Sequence, residues 1–295
     1  MGKTKKNNND KFGGKWTVIK LAIIEEYLNF FTTALKNKKV KKIYVDAFAG
    51  SGKVLIKGEK EIDGSASIAL KYDFDEYHFI DISRKKIDSL RLSIEASHPE
   101  KKMKIFYYCE DCNDALIRLL DNRIKLYTRS VIFLDPFTFE VSRSVLEKIS
   151  KNPCVDLWYL FHMNRFIRCM NKEGKPSKAN CETITKVLGS DDWISACYRK
   201  NNQLSIFEDV ELPDQRIPYN ELRIYIENNM GELFPNVHHF KLLRNEEKNA
   251  PLFLLCFFMT NPNPSAKSLG TKGFEAVIKS IDRRINSDTL FIERK

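Results

Sequence analysis

The stretch KIYVDAFAGSGKV, residues 42–54, decides the fold. Its apolar residues 43–45 and Phe48 are typical of a buried strand, and Gly50 and Gly52 follow directly. Because glycine has no Cβ atom, such a turn can adopt positive φ angles and let a ligand lie against bare backbone. The stretch is therefore either a tight turn or a loop that holds a nucleotide-like ligand, and we favour the ligand loop.

Strands and helices alternate on both sides of this stretch. Strands are predicted at residues 43–48, 76–81, 104–109, 130–134 and 155–161, and helices at 66–71, 84–97, 113–120 and 142–150. Ser65 is predicted to cap the first of these helices, and the polar segment 53–63 is predicted to be a loop. This alternation predicts a parallel sheet with helices on both faces.

The flanking segments complete the predicted organisation. Residues 16–35 show apolar residues at helical spacing, with Lys20 and Glu25 assigned to the polar face. Segment 164–235 is predicted to be helical without a strand, residues 237–244 and 252–260 an antiparallel hairpin, and residues 273–285 a helix. We expect a disordered basic tail (1–15), a core (16–163), a helical insertion (164–235) and a segment (236–295) whose hairpin completes the sheet.

Composition limits the classes of function. The chain has 295 residues and a formal charge of +10, which is compatible with a polyanionic partner such as nucleic acid. The longest apolar run, residues 251–259, is too short to cross a membrane, and the polar N-terminus lacks the apolar core of a secretory signal. We therefore expect a cytoplasmic protein with no membrane partner. Its seven cysteines are predicted to be reduced, and the lone pair Cys109 and Cys112 predicts no metal site.

Acidic residues follow four of the predicted strands. Asp46, Asp81, Asp111 and Asp135 each stand at or just after a strand end. A single acid at such a position is usually a turn residue, but ligands of parallel sheets bind beyond the carboxyl ends of the strands. Four acids in register therefore predict a ligand site.

Five parallel strands followed by a hairpin predict a Rossmann-like class I methyltransferase fold with S-adenosylmethionine as cofactor. Asp46 is assigned to the ammonium group, directly or through water, and Asp81 to both ribose hydroxyls, because a carboxylate has two acceptor oxygens. Asp111 and Cys112 are assigned to the adenine amine. The backbone of the loop completes the predicted cofactor site through Phe48, Ala49, Gly50 and Gly52.

Asp135, Pro136 and Phe137 resemble the D/N-P-P-Y/F motif of amino-methyltransferases. In that motif the polar residue and a proline carbonyl accept hydrogens from the target amine, and the aromatic ring stacks on the base. The three residues are therefore predicted to be catalytic, although Thr138 follows and the second proline is missing. The alternative is a strand end with a proline turn.

Arg165 and Arg168 follow the fifth strand. Because guanidinium groups bind phosphate in a bidentate manner, both are predicted to contact nucleic acid. The alternative is a pair of solvated charges at a helix start.

Seven stretches resemble the three-Cys-motif partner protein (TcmP) family, which is methyltransferase-like: EEYLNFF, VDAFAGSG, GSASIAL, YHFIDIS, EDCN, VIFLDPF and PLFLLCFFMTNPNP. The resemblance spans about residues 16–279 and departs from the family at Ala66, where proline is usual, and at Glu110, where glycine is usual. It implies a second, cysteine-motif protein as partner and a two-component system directed at foreign or self nucleic acid, such as antiviral defence.

Three functions remain open from the sequence. The main hypothesis is methyl transfer from S-adenosylmethionine to a nitrogen of a nucleic acid base. The second is a non-catalytic module that binds a nucleotide or a partner, which Glu110 and the missing proline favour. The third is another enzyme on the same fold, such as a nucleotide-processing effector, because a fold does not fix a function.

Overall fold

The computed structural model describes residues 14–56, 60–200, 213–245 and 249–292. The predicted disordered tail lies outside these residues except for Gly14 and Lys15, and Lys15 already begins the first helix.

The strands, in chain order, are β1 (Lys41–Asp46), β2 (Lys53–Ile56), β3 (Lys60–Asp63), β4 (Glu76–Ile80), β5 (Ile105–Tyr108), β6 (Thr128–Leu134), β7 (Val155–Phe161), β8 (Tyr198–Arg199), β9 (Gln215–Arg216), β10 (Val237–Arg244) and β11 (Pro251–Met259). The helices are α1 (Lys15–Ala34), α2 (Ser65–Ala69), α3 (Arg84–Ser97), α4 (Cys112–Asn122), α5 (Arg143–Ser150), α6 (Met163–Cys169), α7 (Lys178–Leu188), α8 (Trp193–Cys197), α9 (Tyr219–Leu233), α10 (Pro264–Asn286) and α11 (Thr289–Ile292).

Seven strands form one twisted sheet in the order β10-β11-β7-β6-β1-β4-β5. The pairs from β7 to β5 are parallel, whereas β11 is antiparallel to both β7 and β10. Only β11 therefore runs against the other strands of this sheet. The prediction of a Rossmann-like α/β fold with a mostly parallel sheet and a terminal antiparallel hairpin is confirmed.

Alternate side chains of each strand enter two separate cores, as the two-residue period of a strand requires. Ile43 and Val45 face the layer formed by α4 to α9, whereas Tyr44 faces the layer of α1, α2, α3, α10 and α11. The central strands are buried on both faces, so a ligand can reach them only at the strand ends, and ligands of parallel sheets bind at the carboxyl ends.

Two local predictions in the first half of the chain are wrong. The segment 53–63 contains the antiparallel hairpin of β2 and β3, because Val54 pairs with Ile62 and both pack on the α1 side of the sheet. Gly64, and not Ser65, is the N-cap of α2. The Ser65 hydroxyl hydrogen-bonds instead to Asp46.

Two further boundaries differ in the second half. The described residues of segment 164–235 contain the helices α6 to α9, but Tyr198 and Arg199 pair with Arg216 and Gln215 in a short ladder that was not predicted. Helix α10 begins at Pro264 and not at residue 273, because the Asn263 side chain accepts hydrogen bonds from the backbone N–H groups of Ser265 and Ala266.

Candidate functional site

The predicted acids meet at one edge of the sheet. Asp46 ends β1, Asp81 follows β4, Asp111 follows β5 and Asp135 follows β6. Since β6, β1, β4 and β5 are neighbours and parallel, these four side chains lie along the same row of carboxyl ends.

The loop 47–52 that follows β1, which we call the glycine loop, requires glycine at two positions for different reasons. Gly50 has φ +61°, and a Cβ atom there would meet nothing within 4 Å, so only the backbone angle excludes other residues. Gly52 has φ +80°, and its Cβ atom would lie 2.6 Å from Leu90 Cδ1. The space beside Gly50 is therefore open, whereas Gly52 is packed against α3.

Asp81 ties the glycine loop to the end of β4. Its carboxylate accepts hydrogen bonds from the backbone N–H groups of Gly50 (3.2 Å) and Ser83 (2.8 Å) and is 5% exposed. Lys86 Nζ lies 3.6 Å from Asp81 Oδ2. Because a carboxylate has about four acceptor positions, Asp81 keeps the capacity for a further donor.

Asp46 is fully buried beneath the same loop. Its Oδ1 accepts a hydrogen bond from the Phe48 N–H at 3.2 Å, and its Oδ2 lies 3.4 Å from the Tyr44 hydroxyl. Burial raises the pKa of Asp46 to about 7, although the hydrogen bonds from Ser65 and Phe48 act in the opposite direction. Asp46 thus has no surface that a ligand touches without rearrangement or an intervening water.

Asp111 caps α4. Its carboxylate accepts hydrogen bonds from the Asn113 backbone (2.8 Å) and side chain (2.9 Å). The neighbouring Cys112 is buried, which raises the pKa of its thiol to about 12, so it remains a neutral thiol. Glu110, which stands where the resembled family has glycine, forms an ion pair with Arg118 of α4.

The residues after β6 differ sharply in exposure. The Asp135 side chain is 26% exposed, Pro136 is buried and Phe137 is 65% exposed. Lys86 Nζ lies 4.7 Å from the centre of the Phe137 ring, a cation–π distance. Lys86 therefore contacts both Asp81 and Phe137.

The sequence interpretation missed Lys20, and its assignment to the polar face of α1 is wrong. Lys20 is only 4% exposed and forms an ion pair and hydrogen bond with Asp135 Oδ2. Its Nζ also lies 5.3 Å from the centre of the Trp16 ring. The available signal was the helical spacing, because Lys20 stands four residues before Ile24 and seven before Tyr27, both of which are buried.

His162 is the second residue that the sequence interpretation missed. It directly follows β7, and its ring packs against Phe253 with centroids 4.4 Å apart. Burial lowers the pKa of His162 below its ordinary value, although Asp135 and the backbone of Pro136 act in the opposite direction. A neutral imidazole thus stands beside the Asp135 motif.

Arg165 and Arg168 lie on α6, directly beyond the end of β7, and both are exposed. Within the part of the chain that the structure describes, neither has a carboxylate within 4 Å. Over the same residues, no three His, Cys, Asp or Glu side chains form a group that could hold a metal ion.

Comparison with known proteins adds little to this geometry. No family model and no curated protein match the chain. The protein LPL1258 from Legionella pneumophila, described with DUF519, is 14% identical, with 89% of this chain and 91% of that one covered and a TM-score of 0.49. The putative RNA methyltransferase PH1948 from Pyrococcus horikoshii is 12% identical, with 86% and 92% covered and a TM-score of 0.37. Membership of the TcmP family remains a prediction.

No helix in the described ranges is both long enough and apolar enough to cross a membrane.

Proposed function

We propose that this protein is an S-adenosylmethionine-dependent methyltransferase that modifies a nitrogen of a nucleic acid base. The observation that carries the proposal is the ion pair between buried Lys20 and partly exposed Asp135, directly after β6 and beside an exposed aromatic ring. A carboxylate that is fixed through one oxygen keeps its other oxygen for a hydrogen of the target amine.

The residues at the strand ends fit the cofactor. The open space beside Gly50 admits a ligand against the backbone, and Asp81 retains acceptor capacity for the ribose hydroxyls. Ile82 is 75% exposed next to Asp81 and offers an apolar surface to the adenine, with Asp111 and Cys112 beyond it. Since Asp46 is buried, we assign its contact with the ammonium group to the water-mediated route. When bound, S-adenosylmethionine supplies an electrophilic methyl group.

The chain's own residues orient the nucleophile. Asp135 Oδ1 and the Pro136 carbonyl accept hydrogen bonds from the N–H groups of the target amine. These bonds raise the electron density on the amine nitrogen and orient its lone pair toward the methyl group. Lys20 donates to Asp135 Oδ2 and so holds the carboxylate in one orientation. The exposed ring of Phe137 stacks on the base, and Arg165 and Arg168 contact phosphate. A duplex substrate would require base flipping.

The second candidate is a non-catalytic module that binds a nucleotide or a partner. Lys86 lies 3.6 Å from Asp81 Oδ2 and 4.7 Å from the centre of the Phe137 ring, between two of the proposed ligand contacts. A lysine that lies between these two contacts hinders entry of the cofactor, which favours a non-catalytic module. The Lys86 side chain is 37% exposed, however, so it can turn toward solvent when a ligand enters. In either case, the resemblance to the TcmP family favours a cysteine-motif protein as partner in a two-component defence system.

The first experiment is calorimetric titration with S-adenosylmethionine and S-adenosylhomocysteine. We expect binding to the wild type and to Asp88→Asn, an exposed control on the same helix as Lys86, and at least about tenfold weaker binding to Asp81→Asn. No binding to the wild type would contradict the methyltransferase proposal.

The second experiment measures methyl transfer to mixed RNA and DNA by mass spectrometry of the nucleosides. We expect Asp135→Asn to lose transfer while it retains cofactor binding. Cofactor binding without any methylated nucleoside from the wild type would favour the non-catalytic module instead.

A further inference from the structure

The amino ends of the strands, opposite the proposed catalytic site, carry a concentration of positive charge. The loops and first residues that lead into β7, β6 and β1 are residues 148–154, 122–130 and 36–42, which we call the basic edge. These segments contain two, three and five Lys or Arg residues, respectively, and no Asp or Glu. Because β7, β6 and β1 are adjacent, the three segments lie side by side, about 5 Å apart.

Nearby carboxylates neutralise only part of this charge. Glu76 pairs with Lys41 at 2.7 Å and with Arg123 at 3.6 Å, Asp73 with Lys42 at 3.7 Å, and Asp121 with Lys148 at 2.7 Å. Asp75 accepts a hydrogen bond from the Lys42 backbone N–H at 2.7 Å, so four carboxylates face ten basic side chains.

Two more basic side chains of the edge donate hydrogen bonds to backbone carbonyls. Lys125 donates to the carbonyl of Asp121, and Arg129 donates to the carbonyls of Leu126 and Thr128. Four exposed lysines remain without a carboxylate within 4 Å in the described part of the chain: Lys36, Lys38, Lys39 and Lys151.

Helix ends do not account for the surplus. The C-termini of α1, α4 and α5 lie at this edge, and each carries about half a negative charge. Three such ends offset about one and a half positive charges. Neither carboxylates nor helix C-termini of the described chain therefore compensate several of these positive charges.

An exposed aromatic ring stands in the middle of these lysines. Tyr127 is 65% exposed and Leu126 is 78% exposed, and the Tyr127 carbonyl accepts a hydrogen bond from the Lys41 N–H at 3.1 Å. This bond fixes the backbone of Tyr127 beside β1 while the ring stays in solvent. Cations around a solvent-facing ring are the combination that single-stranded nucleic acids require, because phosphates pair with the cations and bases stack on the ring.

We propose that the basic edge binds a single-stranded segment of nucleic acid, with phosphates on Lys36, Lys38, Lys39 and Lys151 and a base stacked on Tyr127. The edge lies about 20 Å from the proposed catalytic site, one strand length away. It therefore binds a different segment from the one whose base enters that site. The proposal holds whether or not the protein transfers a methyl group.

The test is fluorescence anisotropy with a labelled single-stranded RNA of about 20 nucleotides, longer than a single protein-bound segment, across a range of salt concentrations and without cofactor. The variant K36A/K38A/K39A removes three cations, and K267A/K272A/K279A on α10 removes the same charge elsewhere. We expect the first variant to bind more weakly and to lower the slope of log K against log salt by about 2, because each phosphate contact on a single strand contributes about 0.7. The α10 variant should keep the wild-type slope.

Two further variants separate stacking from charge. Tyr127→Ala should weaken binding by about fivefold or more with an unchanged salt slope, since stacking is not ionic. K36R/K38R/K39R should bind like the wild type, which shows that the alanine variant lost cations and not its fold.

Three outcomes would overturn the proposal. The first is an unchanged K36A/K38A/K39A variant, and the second is an equal loss in the α10 variant, which would reveal an effect of net charge alone. The third is displacement of the RNA by polyglutamate of equal length at equal concentration, which would indicate an acidic protein segment as the occupant. The anisotropy measurement contains no cofactor and needs no turnover, so failure of the methyltransferase proposal leaves this test unaffected.

Discussion

The ion pair between Lys20 and Asp135 makes a quantitative prediction that needs no knowledge of the substrate. Lys20 is 4% exposed, whereas the Asp135 side chain is 26% exposed. Removing the aspartate therefore leaves a buried ammonium group without a partner, and removing the lysine leaves a carboxylate that water still reaches. Breaking a buried pair from one side costs about 3–5 kcal/mol.

We expect Asp135→Ala to lower the free energy of unfolding by about 3 kcal/mol, the low end of the range for an orphaned buried charge. Lys20→Met should cost only about 1 kcal/mol, because methionine fills most of the lysine stem and Asp135 is partly solvated. The double variant K20M/D135A should be close to K20M alone, since no orphaned charge remains. The assay is urea unfolding followed by tryptophan fluorescence, with all four proteins at one pH.

The control variant is Asp88→Ala, which removes an exposed carboxylate on α3 and should change the stability by less than about 0.5 kcal/mol. Equal costs of D135A and K20M, or a double variant whose cost equals their sum, would refute the reasoning. Either result would mean that Lys20 reaches water in solution and that the ion pair does not hold Asp135.

Three more predictions follow from other parts of the site and core. Gly50→Ala should cost about 1–2 kcal/mol of unfolding free energy from its positive φ alone. Gly52→Ala should cost more, because a Cβ atom there also has no room. Urea unfolding compares the two variants, and equal costs would contradict the packing at Gly52. Phe137→Ala should change stability by less than about 0.5 kcal/mol but raise KM for nucleic acid, and a large loss of stability would show that the ring supports the fold. Burial raises the pKa of Asp156 to about 7 from 3.8, so the folded state binds an extra proton there and the contribution of Asp156 to stability falls as pH rises from about 4 to about 7. Because buried His78, whose pKa is lowered to about 4, acts in the opposite direction, the test is the difference between two proteins: Asp156→Asn should gain stability relative to the wild type as pH rises across this range in thermal melting, and a constant difference would contradict the shift.

The fold and the strand-end acids could be predicted because regular structure dictates both. A strand of apolar residues followed by Asp46 or Asp81 has few alternatives in a parallel sheet, where all carboxyl ends share one edge. The β2–β3 hairpin was not predictable in this way, because each strand has only four residues and few of them, Val54, Ile56 and Ile62, contact the core.

Lys20 escaped prediction for a different reason. A lysine in an amphipathic helix is normally assigned to the solvent face, because burying an ammonium group without a partner is costly. Its partner Asp135 lies 115 residues away in the sequence, so the compensation exists only in the folded chain. The spacing of Lys20 from Ile24 and Tyr27 fits the apolar face, but Lys20 was assigned to the polar face because its partner could not be inferred from spacing.

Helix α1 connects the candidate site to the rest of the core. Near its start Lys20 holds Asp135, in its middle the Tyr27 hydroxyl donates to the buried Asp156 carboxylate at 2.6 Å, and Glu26 accepts from Arg284 of α10 at 2.8 Å. The position of the Asp135 carboxylate thus depends on how α1 docks on β6 and β7. A change that loosens α1, such as Tyr27→Phe, removes the hydrogen bond to Asp156 without touching the proposed site. It should therefore reduce methyl transfer while cofactor binding stays intact, because Lys20 of α1 holds Asp135, whereas Asp81 accepts directly from the Gly50 N–H.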